Sequence, residues 1–177
     1  MTYNNGKMLG VGIGIIAGLI ISFFVLKAIN KDGKVKTEYD EMQKLIRGKA
    51  YMYAFWAVIA CEGLLCWLTS GSFSLPLDGY TLHFMVILVG VLVQVSYCIW
   101  NDAYIGLNNS MGRFAAVSII ISLVNFALAG FSIAEGTMVK DGVLQSTSIN
   151  LLVAVLFIVI GLEILIKKIA DNGQKED

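Results

Sequence analysis

The sequence is poor in charge and in histidine, and both shortages narrow the class of protein. Only 15% of its 177 residues are Asp, Glu, Lys or Arg, whereas soluble domains usually carry about 25%. Apolar residues reach 57% and the mean hydropathy is +0.75, which excludes a water-soluble enzyme and a disordered chain. A single histidine and three cysteines without a Cys-x-x-Cys pair exclude a zinc cluster. We therefore expect an integral membrane protein with no metal or other cofactor.

Charged residues are absent or nearly absent from five long stretches of the chain. A helix rises about 1.5 Å per residue and needs about 20 residues to cross the hydrocarbon core. Backbone groups in lipid must be satisfied within their own segment, which favours helices. The sequence predicts an all-α polytopic membrane helix bundle that forms a single membrane domain over residues 1–177. Its five transmembrane helices are predicted at residues 8–27, 50–69, 80–100, 114–134 and 149–166.

The positive charges are distributed unevenly over the predicted loops. Eleven of the 13 Lys and Arg residues fall on one side of the membrane if there are five spans, and only Lys7 and Lys140 fall on the other. The positive-inside rule therefore places the N-terminus outside and the C-terminus in the cytoplasm. Seven of these charges lie between Lys27 and Lys49, directly after the first span. They oppose export of that flank and indicate an uncleaved first span rather than a secretory signal.

The first inner segment has the pattern of an interfacial amphipathic helix over residues 37–49. Thr37 and Asp40 are spaced like a capping box, and apolar residues recur after them at helical spacing. We expect this helix to turn into the second span at Arg47-Gly48-Lys49. Two interpretations stay open: a positively charged flank that fixes topology and contacts anionic lipid, or a docking site for a cytoplasmic partner.

Two short motifs lie at the inner ends of the second and third spans. The first is Tyr39-Asp40-Glu41-Met42-Gln43 followed by Ile46-Arg47-Gly48-Lys49-Ala50-Tyr51, and the second is Asp102-Ala103-Tyr104-Ile105-Gly106-Leu107-Asn108. Together they resemble segments of small uncharacterised bacterial multi-span membrane proteins, with Met42 in place of the second Arg of that pattern. The resemblance covers about 20 residues. It implies a bacterial cytoplasmic-membrane protein and brings no assigned activity.

Charges in these two motifs form the first candidate site. We expect Arg47 or Lys49 to pair with Asp102 and to clamp the second and third spans at headgroup level, where partly exposed pairs contribute about 0–1 kcal/mol. A site for a lipid headgroup or another anionic ligand, built from the same charges, is the alternative. The candidate residues of this inner-face clamp or partner site are Tyr39, Asp40, Glu41, Arg47, Lys49, Asp102 and Tyr104.

Polar residues inside the spans form the second candidate site. Glu62 is the single acid that we place deep in a span, and His83 enters the third span at a depth that permits a pair with it. Polar stripes on the third and fourth spans predict that these two helices face each other around a polar seam. The stripes either hold helices together by hydrogen bonds or bind a proton or a cation. The candidate intramembrane residues are Glu62, His83, Gln94 and Asn125.

Small residues recur every four positions along the first span. They are Gly10, Gly14, Gly18 and Ser22. Such a stripe lets another helix approach closely. It predicts helix packing, either within the bundle or between two copies of the chain.

The loops are too short to fold into a catalytic domain, and the sequence has no Ser-x-x-Lys or Gly-x-Ser-x-Gly element of a hydrolase. We therefore expect a non-enzymatic protein of the bacterial cytoplasmic membrane that acts through protein or lipid contacts, such as an accessory or regulatory subunit. Its expected partners are the lipid bilayer and a membrane protein, a cytoplasmic protein or a second copy, and not nucleic acid. The alternative is a small transporter or channel-forming protomer with its polar seam around Glu62.

Overall fold

The computed structural model describes residues 3–71 and 74–173. Over these residues, five helices are long and apolar enough to cross a membrane, which confirms the prediction of an all-α, multi-pass membrane protein. Each predicted span lies almost entirely within one observed helix. The helices are α1 (Tyr3–Ile29), α2 (Glu41–Ser70), α3 (Gly79–Trp100), α4 (Met111–Ala134) and α5 (Ile149–Gly173).

The loops meet at two ends of the bundle. At what we call the basic end, residues 30–40 hydrogen-bond with residues 101–110, and at the opposite hairpin end residues 76–78 hydrogen-bond with Leu144. The sequence analysis assigns eleven Lys and Arg residues to one side of the membrane. Ten of them lie near the basic end, and the eleventh, Lys175, lies outside the described residues. The assignment of the basic end to the cytoplasm stays a prediction of the positive-inside rule.

The prediction of a separate interfacial helix over residues 37–49 is wrong. Helix α2 begins at Glu41 and continues through residues 47–49 without a break in the helix. Its 30 residues make it about 45 Å long. Asp40 is its N-cap: the Asp40 carboxylate accepts a hydrogen bond from Gln43 N at 2.7 Å, and Gln43 Oε1 accepts one from Asp40 N at 3.3 Å. The capping box is therefore Asp40–Gln43 rather than Thr37–Asp40.

Helix α3 is the centre of the bundle, because it packs against both α2 and α5, while α4 packs against α5 and α1. The predicted seam between the third and fourth spans is therefore wrong. Ser122 on the α4 stripe instead donates to the carbonyl of Ala154 on α5 at 3.5 Å. The main apolar core lies between α3 and α5 and consists of Val95, Ile99, Leu156 and Ile160.

Small residues bring α2 and α3 together. A Cβ atom built on Gly90 would lie 2.6 Å from Val58 Cγ2, a distance that real side chains do not reach. Nearer the basic end, Ala50, Cys98 and Ala103 form a second core cluster and are fully buried. The close approach of α2 and α3 thus extends from mid-membrane to the basic end.

A two-stranded hairpin covers the other end. Strands β1 (Val139–Lys140) and β2 (Val143–Leu144) pair antiparallel, and positive φ angles at Asp141 and Gly142 fit the tight turn of such hairpins. Leu144 N donates to Pro76 O and Leu144 O accepts from Asp78 N, both at 2.9 Å, so the hairpin holds the α2–α3 loop. Although burial opposes ionisation of Asp78, the backbone N–H of Thr81 at 2.6 Å holds the pKa of this N-cap carboxyl below its usual value.

Candidate functional site

The two basic-end loops are joined through side-chain amides. Asn30 is fully buried; its Nδ2 donates to Lys34 O at 2.7 Å, and its Oδ1 accepts from Asn109 Nδ2 at 2.6 Å. Arg113 Nη1 donates to the carbonyls of Ala28 and Asn30 at 3.3 Å. A cation is favourable at this place because the C-terminal end of a helix such as α1 carries partial negative charge. These contacts fix the end of α1 to the start of α4.

Asn108 joins the same loops from the other side. Its Oδ1 accepts a hydrogen bond from Glu38 N at 2.8 Å, while its Nδ2 donates to Lys36 O at 3.0 Å and to the Asp32 carboxylate at 3.2 Å. The backbone N–H of Lys34, together with this amide, holds the pKa of Asp32 below its usual value. Asn108 therefore acts like a strand partner for the extended segment before α2.

Gly106 lies where the two loops come closest. A Cβ atom there would lie 2.6 Å from Asn109 Oδ1 and 2.8 Å from Glu38 O, and it would overlap Thr37 Cγ2. The backbone N–H of Leu107 donates to that same Glu38 oxygen at 2.8 Å. Only glycine allows this contact, so the segment before α2 is held by the loop after α3.

Arg47 stands at the centre of the basic end without an acidic partner. Its guanidinium lies over the Tyr39 ring, 4.2 Å from the ring centroid. Nη1 donates to Ala103 O at 3.3 Å and Nη2 to the Tyr51 hydroxyl at 3.4 Å. Among the described residues, no carboxylate oxygen lies within 4.0 Å of this guanidinium.

The predicted clamp between Arg47 or Lys49 and Asp102 is wrong. Asp102 instead pairs with Lys167 of α5 at 3.4 Å, and Lys167 also pairs with Asp171, one turn further along, at 2.7 Å. Asp102 follows the end of α3 with a φ of 57°, and α3 packs against α5 as well as α2. The charge on Lys49 is exposed and has no ion pair within residues 3–71 and 74–173.

The other residues of the first candidate site have local structural contacts. Asp40 caps α2, and Glu41 pairs with Lys44 at 2.6 Å while its side chain stays exposed. Tyr104 packs edge-on against Phe114 and touches both core clusters. Burial raises the pKa of Tyr104 well above its usual value and raises that of Tyr39 as well. Both hydroxyls therefore keep their protons at neutral pH.

The second candidate site is only partly assembled. His83 Nδ1 lies 3.0 Å from one carboxylate oxygen of Glu62 and 3.1 Å from the other, so α2 and α3 carry a charged or hydrogen-bonded pair near the hairpin end. Gln94 donates to the Cys98 sulfur on its own helix at 3.6 Å. Asn125 likewise donates to Ile121 O, one turn back on α4. The four residues thus do not form one continuous polar seam.

A second intramembrane acid was missed in the sequence. Glu163 lies on α5, and its Oε1 accepts a hydrogen bond from Ser96 Oγ of α3 at 2.8 Å. Its Oε2 is buried and has no hydrogen-bond partner within the described part of the chain. Glu163 falls within the predicted span 149–166, but it directly follows a long uncharged run and precedes Lys167, so the spacing of charges does not distinguish it from the flank of a span. Glu163 is therefore a second acid, besides Glu62, that lies away from the ends of the helices that are apolar enough to span a membrane.

Helix α1 leaves its small-residue stripe open. No described atom lies within 4 Å of a Cβ position built on Gly10, Gly14 or Gly18, and Ser22 Oγ donates to Gly18 O on the same helix. Packing of this stripe within the bundle, one of the two expectations, is therefore wrong. The other expectation, contact with a second copy, stays a prediction.

Comparison of the chain with protein-family models, with curated proteins and with solved structures finds no match.

Proposed function

We propose that this protein is a non-enzymatic accessory or regulatory subunit of the bacterial cytoplasmic membrane, with its N-terminus outside and its basic end in the cytoplasm. The bacterial setting is supported by the resemblance of the two basic-end motifs, and the orientation by the excess of positive charge. The subunit acts by binding another membrane protein through α1.

The observation that carries this proposal is the open face of α1. Within the described part of the chain, α1 packs mainly against α4. Large apolar side chains around its circumference are exposed, with Ile13 at 65% and Leu19 at 67%. Lipid can cover such side chains, but a row of glycines offers lipid little surface and suits the backbone of a second helix. The stripe is the surface that a partner helix would use.

Native mass spectrometry of the protein extracted gently from its own membrane tests this proposal. The wild type should carry a stoichiometric second polypeptide, and Gly14→Leu should lose it because the added side chain fills the stripe. Gly12→Leu is the matched control, because residue 12 points away from residue 14 on a helix and a Cβ there also meets no described atom within 4 Å. A wild type without a partner, or a partner kept by Gly14→Leu, would contradict the proposal.

A small transporter is the second candidate function, favoured by the pairing of His83 with Glu62 between two helices that are apolar enough to span a membrane. Ionisable residues within membrane spans are costly and commonly serve proton or ion movement. In proteoliposomes, Glu62→Gln should abolish a pH-dependent flux while leaving the oligomeric state unchanged. A purified chain with no flux, or a flux unchanged by Glu62→Gln, would exclude this function.

A further inference from the structure

A cavity of about 180 Å³ opens beside Arg47 at the basic end. The polar residues that line it are Thr37, Tyr39, Arg47, Tyr51, Gln94, Tyr104 and Asn109. No Asp or Glu is among the described residues that line the cavity. Its only formal charge is therefore the positive charge of the guanidinium.

Apolar residues of other helices also line the cavity. They are Leu26 and Ile29 of α1 and Phe114 of α4. The cavity thus lies where the α1–α4 pair meets the α2–α3 pair. Its lining combines hydrogen-bond donors with apolar side chains.

Arg47 has more N–H donors than the hydrogen bonds it makes within the described part of the chain. A guanidinium carries five N–H groups in a planar fork, and the two protein hydrogen bonds of Arg47 are long, at 3.3 and 3.4 Å. A partly buried cation without an anion is costly, and the fork of Arg matches the oxygens of phosphate. Because the Tyr39 and Tyr104 hydroxyls stay protonated, they add neutral donors to the same cavity.

The depth of the cavity matches that of lipid headgroups. Helix α2, about 45 Å long, covers a whole bilayer including its headgroup layers. Arg47 lies six residues after Glu41, or roughly 9 Å from the end of the helix. A headgroup layer about 5–8 Å deep places Arg47 close to the boundary between the headgroups and the hydrocarbon. An apolar cavity of about 150 Å³ holds benzene, so this one has room for a phosphate group.

We infer that the cavity binds one phosphate group, held by the Arg47 guanidinium with Tyr51 and Gln94 beside it. The group belongs either to an anionic phospholipid, whose glycerol and chains would lie against the α1–α4 side, or to free inorganic phosphate. The site lies apart from the glycine stripe of α1, so it goes beyond the proposed function and each can fail without the other.

Thermal unfolding of the purified full-length chain in detergent tests the site. The probes are short-chain phosphatidylglycerol, short-chain phosphatidylcholine and sodium phosphate, in a phosphate-free buffer of matched ionic strength. A rise in Tm with phosphatidylglycerol that exceeds the rise with phosphatidylcholine identifies a lipid headgroup. A rise with sodium phosphate alone identifies the free anion, and either result supports a phosphate site.

Three variants locate the binding. Arg47→Gln should weaken the apparent affinity about tenfold or more, and Tyr51→Phe, which removes one hydroxyl beside the guanidinium and keeps the ring, should weaken it by a smaller factor. Lys49→Gln is the matched control, because it removes a nearby exposed positive charge and should leave the affinity within about twofold. If Arg47→Gln does not fold, Tyr51→Phe alone decides. The site is overturned if no probe raises the Tm of the wild type, or if Tyr51→Phe and Lys49→Gln respond alike.

Discussion

Replacing Gly106 by alanine should force the basic-end loops apart. The new Cβ atom would lie 2.6 Å from Asn109 Oδ1 and 2.8 Å from Glu38 O. Both oxygens already accept backbone hydrogen bonds, from the N–H groups of Gly106 and Leu107. The loops can accommodate the methyl group only by lengthening these bonds.

The expected cost follows from the crowding and the lost hydrogen bond. Overpacking costs about 1–3 kcal/mol and one hydrogen bond about 1 kcal/mol, so we expect a total of about 2–4 kcal/mol. A loss of about 2 kcal/mol raises the population of the opened state roughly 30-fold. The basic end should therefore open much more often, even if the bundle stays assembled.

Cys98 reports this opening because its side chain is fully buried against Ala50 and Ala103 beside the loops. In a background carrying Cys61→Ser and Cys66→Ser, the thiol of Cys98 is the only one left. Its rate of labelling by a maleimide in detergent follows the population of the open state when reclosing is fast. Gly106→Ala should raise that rate about 30-fold or more.

Gly112→Ala is the control for adding a methyl group at the same end. Gly112 lies in the first turn of α4, and a Cβ there meets no described atom within 4 Å. The rate at which Cys98 is labelled in Gly112→Ala should stay within about twofold of the rate in the parent, since alanine stabilises a helix at least as well as glycine does. Equal rates for Gly106→Ala and the parent would refute the close approach of the two loops.

Three further substitutions test the rest of the bundle by thermal unfolding. Gly90→Ala should lower the free energy of unfolding by about 1–3 kcal/mol, because its Cβ would lie 2.6 Å from Val58 Cγ2, and adding Val58→Ala should recover part of the loss. Asp78→Ala should cost about 1 kcal/mol at neutral pH by removing the N-cap of α3. Because the folded-state pKa of Asp78 is lowered, its contribution is present above the unfolded value and should fade as the pH falls below about 4. Ser96→Ala should cost about 0.6–2 kcal/mol, because it removes the hydrogen-bond partner of Glu163.

Each of these substitutions has a control within the chain. Gly63→Ala adds a methyl group on α2 where a Cβ meets nothing within 4 Å of the described structure, so a loss equal to that of Gly90→Ala would contradict the steric argument. Asp78→Asn keeps an N-cap residue without a titrating group, and it should unfold without the acid-dependent loss. Ser118→Ala removes a hydroxyl from α4, and a cost as large as that of Ser96→Ala would show that the Glu163 contact is unimportant.

The positions of the helices were predictable because they depend on local composition. A run of about 20 apolar residues is helical in lipid whatever surrounds it, so the five spans could be read from the spacing of charges. The ends of the helices were harder to predict. Helix α2 starts at Glu41 because Asp40 and Gln43 satisfy hydrogen-bonding groups at its N-terminus. A boundary placed from the positions of charged residues takes no account of such a cap.

The contacts of the candidate site were not predictable because they depend on which helices become neighbours. Asp102 could pair with Arg47, Lys49 or Lys167 by charge alone, and only the packing of α3 on α5 selects Lys167. The side-chain amide of Asn108 donates to the carbonyl of Lys36, 72 residues away in the chain. The side-chain amide of Asn30 donates instead to the carbonyl of Lys34, only four residues away. No spacing rule in the sequence connects such positions.

The hydrogen bond that Asn109 Nδ2 donates to Asn30 Oδ1 joins residues 79 positions apart in the chain, and this separation sets an order of events during synthesis. Helix α1 is made before α2 and α3, yet the loop that anchors its end is made only after both are complete. Until then, the buried amide of Asn30 lacks the partner on which its burial depends. The end of α1 is therefore held by Asn109 only after the α3–α4 connection has been made.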